Sequence, residues 1–238
     1  MGADTVRAIH LGSRQRVLRF LLTAILLLIA CALAAEATRA LLSTDGMVRR
    51  GKLLSLFDAD VEDSFPTWFQ GMQLAFAGFL SWAWRKSDAA GLRWGWSVLA
   101  ALLIVMSLDE LISLHEELIG PLQNAFDINS GPLFFAWVIP GVIAAAIFAF
   151  AMIPFLRQLP RVTAVRLIVA GAVFVTGAAG MELVGGQVVT TIGTGSTYRL
   201  TTIAEESLEM VGTFLVIRTL LLHFSLSNSS PVAPKAEL

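Results

Sequence analysis

Apolar residues gather into six long runs, at about 17–42, 66–84, 94–118, 132–157, 163–190 and 200–224. Each is close to the roughly 20 apolar residues that carry an α-helix across a bilayer core. The pattern predicts an all-α fold, a polytopic membrane helical bundle of about six transmembrane helices. Residues 1–16 then form a cytoplasmic N-terminal segment and 17–224 a single membrane domain. Residues 225–238, polar and holding two prolines, are expected to be a disordered cytoplasmic tail.

Basic residues orient the bundle. Arg7, Arg14, Arg16 and Arg19 lead into the first run. Arg85, Lys86 and Arg93 fall between runs two and three, and Arg157, Arg161 and Arg166 between four and five. The 119–131 segment has no Lys or Arg, and 191–199 has only Arg199. Both termini are therefore expected in the cytoplasm. Only the 43–65 loop is ambiguous, with Arg49, Arg50 and Lys52 set against Asp58, Asp60, Glu62 and Asp63. Trp82, Trp84, Trp94 and Trp96 fall at the expected inner interface and Trp68 at the outer one, depths that suit indole rings.

Composition narrows the function classes. Hydrophobic residues make up 56% of the 238 and charged residues 15%, unlike a soluble domain. A net charge of −1 gives no general pull toward nucleic acid. The lone Cys31 excludes an internal disulfide and a cysteine-rich metal site. The basic leader, Ala32-Leu33-Ala34 and Leu28-Ile29-Ala30-Cys31 resemble signal-peptide or lipoprotein processing sites. The length of the first run and the five that follow favour an uncleaved span. No internal repeat of the inverted-transporter kind is visible.

The chemistry lies in acids inside the apolar runs. Run three carries Asp109, Glu110, Glu116 and Glu117, run five Glu182, and run six Glu205, Glu206 and Glu209. In the orientation above, all fall in the outer half of the membrane. At a helical rise of about 1.5 Å per residue, Glu182 and Glu209 sit roughly 12–15 Å below the outer surface. Helical stepping of about 100° per residue puts Asp109, Glu110, Ser113, Glu116 and Glu117 on one face and turns His115 elsewhere. It also gathers Thr202, Glu205, Glu206, Glu209 and Thr213 on one face of the sixth helix. An uncompensated acid at mid-membrane costs about 2.5–3.5 kcal/mol. Nearby positive charge is scarce, limited to His115, Arg199 and Arg39. Protons, bound cations or water must relieve the rest.

The leading expectation is a site for one or two divalent metal ions, iron, manganese or zinc, since carboxylates with an imidazole suit such cations. Candidate ligands are Asp109, Glu110, His115, Glu116, Glu182, Glu205, Glu206 and Glu209. His115 and Glu116 are the candidate catalytic acid–base groups. An enzyme of this kind would act on a lipid-soluble or periplasmic substrate, by a reaction that could be hydrolysis or oxidation. There is no Glu-x-x-His pair and no His-Glu-x-x-His motif, so neither the common helical di-iron pattern nor a zinc protease follows. Two other readings stand beside it. A cation or proton transporter would use buried acids, but the inner halves of the runs look nearly devoid of polar residues. A non-catalytic membrane subunit, or a homo-oligomer, would use them as a hydrated vestibule or a partner interface.

Lesser features have plainer readings. Gln70 and Gln73 could join the acid layer or act as interhelical glue. Glu36, near the outer end of the first run, could join the layer but is expected rather to snorkel or to pair with Arg39. Gly177, Gly180, Gly185 and Gly186 bracket Glu182 and would let helices approach closely. Tyr198 and Arg199 flank the site at the outer rim, where either could hold a lipid headgroup or an anionic substrate, though interfacial anchoring is the commoner role. Gly193-Thr194-Gly195-Ser196 is no phosphate loop. The Asn228-Ser229-Ser230 sequon falls on the expected cytoplasmic tail and is discounted.

Asp109-Glu110-x4-His115-Glu116 followed by Glu205-Glu206-x2-Glu209-Met210-x-Gly212 resembles segments of uncharacterised bacterial multi-pass membrane proteins. The resemblance covers two short segments. It implies a location in a bacterial inner membrane and no particular activity.

Overall fold

The computed structural model describes residues 3–41, 52–61, 63–88 and 90–227. Arg49, Arg50, Glu62, the sequon at Asn228 and the tail from 228 onward lie outside the described residues. Among the described residues every regular element is helical: α1 (Ala3–Leu41), α2 (Lys52–Ser55), α3 (Phe65–Ser87), α4 (Arg93–Ile112), α5 (Ile119–Phe126), α6 (Val138–Gln158), α7 (Arg161–Val175), α8 (Glu182–Thr191) and α9 (Ser196–Ser227). Two short 3-10 turns, Ala90–Leu92 and Glu116–Leu118, and a π-helical stretch, Thr176–Met181, join some of them.

Four segments are long and apolar enough to cross a membrane: Gly12–Leu41, Ala90–Ile112, Val138–Gln158 and Arg161–Thr191. The last runs through α7, the π-helical stretch and α8. Helices α3 and α9 have 23 and 32 residues, but polar side chains interrupt their apolar faces. Large apolar side chains such as Phe20, Leu27, Phe79, Val105, Ile147 and Phe150 are exposed on the perimeter, as in a bundle meant for lipid.

Helix ends follow local chemistry. Ser64 caps α3 by accepting the Thr67 N–H, and Pro66 fills the first turn, where no donor is needed. The expected third span, continuous to 118, is corrected by the structure. Helix α4 stops at Ile112 because Ser113 adopts the left-handed conformation, φ 49°. The chain then turns, so the one-face placement of Glu116 and Glu117 with Asp109 does not hold. The expected fourth span from 132 is also shortened: residues 131–137 form turns, and α6 begins at Val138.

Small residues set the helix spacing. A Cβ on Gly78 would meet the Ile104 side chain at 2.9 Å, so α3 and α4 lie close together. A Cβ on Gly212 would meet the Phe174 backbone nitrogen at 2.7 Å, which brings α9 against α7. The apolar core fills one end of the bundle, around Trp84, Trp96, Leu99, Phe155, Ala170, Ile217 and Leu220. The other end holds the acids.

Candidate functional site

Asp109 occupies the last turn of α4, and its carboxylate organises the turn that follows. Oδ1 accepts the backbone N–H of His115 at 3.0 Å, and Oδ2 lies 2.9 Å from His115 Nδ1. The turn therefore folds His115 back over Asp109, where a continuous helix would have pointed it away. The His115 ring lies against Trp137, centroids 4.6 Å apart. Trp137 in turn donates Nε1–H to Glu182 Oε1 at 2.8 Å. Trp137 is a site residue that sequence reasoning missed. A lone indole N–H in an apolar stretch needs a hydrogen-bond partner when buried, and that was the available signal.

Glu182 follows directly after the π-helical stretch Thr176–Met181. Wider helical turns of this kind recur at functional sites. Gly177 within it lies so close to α9 that a Cβ would meet the Glu205 carbonyl oxygen at 2.9 Å and Glu209 Cγ at 3.0 Å. Close approach brings the Glu182 and Glu205 carboxyls side by side. Glu209 is buried, with Glu110, Glu206, Glu182 and Asp109 as charged neighbours. Acids on three elements remote in sequence thus meet in one layer.

The layer is less uniform than the sequence suggests. Glu206 turns toward α1 and α3, in a small crevice lined by Leu28, Ile29, Pro66 and Met210. Its buried Oε2 has no hydrogen-bond partner. Glu116 and Glu117 are exposed in the turn after Ser113, and Glu116 adds its charge to the His115 environment. Among the described residues, no group of three His, Cys, Asp or Glu side chains is arranged to hold a metal ion. The candidate ligands stand as pairs, Asp109 with His115 and Glu182 with Glu205.

His115 lies past the end of α4. Burial opposes its charged form. The bond to Asp109 and the negative charges of Asp109, Glu116 and Glu182 outweigh that, so its pKa stands above the ordinary imidazole value.

Polar partners surround the layer. Gln70 donates Nε2–H to Thr213 Oγ1 at 3.1 Å, while Gln73, also buried, has no hydrogen-bond partner at either end of its amide. At the rim, Arg199 Nε donates to Glu36, and Arg39 pairs with Asp58 at 2.8 Å and donates to the Leu54 carbonyl at 3.0 Å. The expected Glu36–Arg39 pair is present but long, at 3.9 Å. Arg199, read from sequence as an interfacial anchor, is instead committed to Glu36 and the Thr194 carbonyl. Both arginines are tied at the rim and also act on Asp60, whose charge reaches Glu182.

The opposite end corrects another expectation. His223 and Thr163 are buried there, and Asp88 is bonded to His223, so that end is not devoid of polar groups.

Fold and site together define an all-helical protein with several helices compatible with a membrane and a layer of facing carboxylates at one end of the bundle. The chain belongs to the family described as Domain of unknown function (DUF8692), whose model matches residues 25–224. No curated protein and no solved structure matches it.

Proposed function

We propose that this chain is a six-span protein of a bacterial inner membrane, with both termini in the cytoplasm, whose outer-half carboxylate layer binds one or two divalent cations. The observation that carries the reading is the setting of Glu209. It is buried, and its charged neighbours Glu110, Glu206, Glu182 and Asp109 are all acidic. Like charges at low dielectric need a cation or protons among them. The two arginines closest to the rim already bind Glu36 and Asp58. Carboxylates with one imidazole suit iron, manganese or zinc. Holding such an ion requires Glu182 and Glu205 to turn from their present pairings toward Glu209, since the described side chains do not form a ready ligand set. A bound ion would supply Lewis acidity toward an oxygen or carbonyl group. The half-buried His115, oriented by Asp109, would serve as the acid–base group, with Glu116 beside it, for a lipid-soluble or periplasmic substrate.

Elemental analysis of the detergent-purified protein tests this, with wild type beside Glu209→Gln and Asp109→Asn. Stoichiometric metal in the wild type, lost in both variants, is expected. A folded, metal-free wild type would overturn the reading.

A second reading is proton or cation transport. Two observations favour it: the side-by-side Glu182 and Glu205 carboxyls, which can share one proton, and the buried polar groups at the opposite end. Ion flux in proteoliposomes, abolished by Glu209→Gln, would select it.

A further inference from the structure

Among the described residues, five buried side-chain oxygen or nitrogen atoms have no hydrogen-bond partner, and four of them belong to Gln70, Gln73 and Glu206. These residues lie on the facing sides of α3 and α9. Trp84 of α3 donates Nε1–H to the Leu220 carbonyl of α9 at 3.2 Å, and Gln70 donates Nε2–H to Thr213 Oγ1 at 3.1 Å. Pro66 shares the crevice of Glu206 and Met210. At about 100° per residue, Pro66, Gln70, Gln73 and Trp84 fall within roughly 60° of arc on α3. The same stepping puts Glu206, Met210, Thr213 and Leu220 within roughly 80° on α9. Gln73 therefore also faces α9, between the Gln70 and Trp84 contacts. Gln70 and Gln73 are 0% and 2% exposed, so solvent around the bundle does not satisfy them. Buried polar groups are rarely left without partners, and here they line one seam.

We propose that this seam binds one monovalent alkali cation of sodium size, held by Glu206, Gln70 and Gln73. The free atoms set the chemistry. Gln70 spends an N–H on Thr213, which leaves its acceptor Oε1 for a ligand. Gln73 adds a second amide oxygen and Glu206 a carboxylate oxygen. Oxygen donors suit hard cations, and carbonyl oxygens can replace an ion's hydration shell. Ligation draws these three long side chains together along the seam. Charge selects the valence. Among the described residues Glu206 is the one carboxylate on this face. Glu209 turns the other way, its Cγ 3.0 Å from where a Cβ on Gly177 would stand. One carboxylate balances a single positive charge, whereas a divalent ion would keep an unpaired charge at low dielectric. The crevice beside Glu206 extends to Ala59, next to Asp58 and Asp60 at the rim, and gives the ion its way in. The site shares no ligand with the Asp109–His115 and Glu182–Glu205 pairs. The inference is independent of any divalent ion in the acid layer.

The test follows the thermal midpoint of the full-length protein in lipid nanodiscs, stripped of divalent ions with EDTA. Sodium chloride is titrated against choline chloride at constant ionic strength. The wild-type midpoint should rise by about 3–5 °C for each tenfold increase in sodium above its dissociation constant, and choline should not raise it. Glu206→Gln should abolish the rise. Gln73→Leu, an apolar change in a buried position, should move it to at least tenfold higher sodium, and decides the matter alone if Glu206→Gln does not fold. Glu182→Gln, which alters the acid layer, should respond as the wild type does. Because the chelator has removed divalent ions, failure of the divalent reading leaves this result standing. Equal wild-type midpoints in sodium and choline would overturn the site. So would a sodium response unchanged in Gln73→Leu, or one lost equally in Glu182→Gln.

Discussion

Asp109 holds His115 at two points, the backbone N–H through Oδ1 and the ring Nδ1 through Oδ2. One carboxylate thus closes the turn after α4 and fixes the ring beside Trp137. Replacing Asp109 with Ala leaves a donor without its acceptor and frees the ring. We expect a loss of about 1–3 kcal/mol in stability. Asp109→Asn, which retains one acceptor oxygen, should cost less. Thermal denaturation of both variants in detergent checks the order.

The raised His115 pKa has a definite sign in stability. The folded state binds the proton more tightly than the unfolded state. The contribution is therefore fully present below the unfolded imidazole value, about 6.5, and fades as pH rises through the higher folded value. The wild type should lose stability from pH 6 toward pH 8 relative to His115→Gln. Paired melting curves across that range measure it, and parallel curves would refute it.

Gly212 and Gly171 make a matched pair. A Cβ at Gly212 would press on the Phe174 backbone, which cannot move aside as a side-chain tip could. Gly212→Ala should cost about 1–3 kcal/mol through overpacking. At Gly171 nothing lies within 4 Å of the added Cβ, so Gly171→Ala should be neutral or stabilising, by up to about 1 kcal/mol. Comparing the two melting points separates helix approach from helix propensity.

Arg39 is 7% exposed and pairs with Asp58 at 2.8 Å. Arg39→Gln strands that acid and weakens the support of Glu36. Breaking a buried pair from one side costs about 3–5 kcal/mol. The segment 52–61 should then loosen from α1, seen as faster hydrogen exchange or proteolysis between residues 52 and 61. An unchanged cleavage pattern would show that the segment is held by other contacts.

Helical content was legible because long apolar runs are a strong signal. Helices were found at all six expected positions, although only four segments meet the length and hydropathy of a span. The acid layer was legible for the same reason: charge inside an apolar run is conspicuous. Its geometry was not. Extending the third helix to 118 assumed a regular pitch, and nothing in the residue pattern flagged Ser113 as left-handed. That single conformation moved His115 onto Asp109 and moved Glu116 off the shared face. Trp137 and His223 escaped notice because each sits alone in an apolar stretch, and their partners are 45 and 135 residues away. The Arg199–Glu36 contact, across 163 residues, belongs to the same class of tertiary information.

The widened turns at Thr176–Met181 imply a register that can be reset. Stretches of this type behave as one surplus residue accommodated within a regular helix. Deleting a single residue there would restore the normal pitch and leave the faces on either side nearly in register, whereas a deletion in the regular turns of α7 would swing everything beyond it by about 100°. Glu182 would stay beside Glu205 and Trp137 in the first case and leave them in the second, so the stretch lets this helix shorten by one codon without losing the meeting of acids.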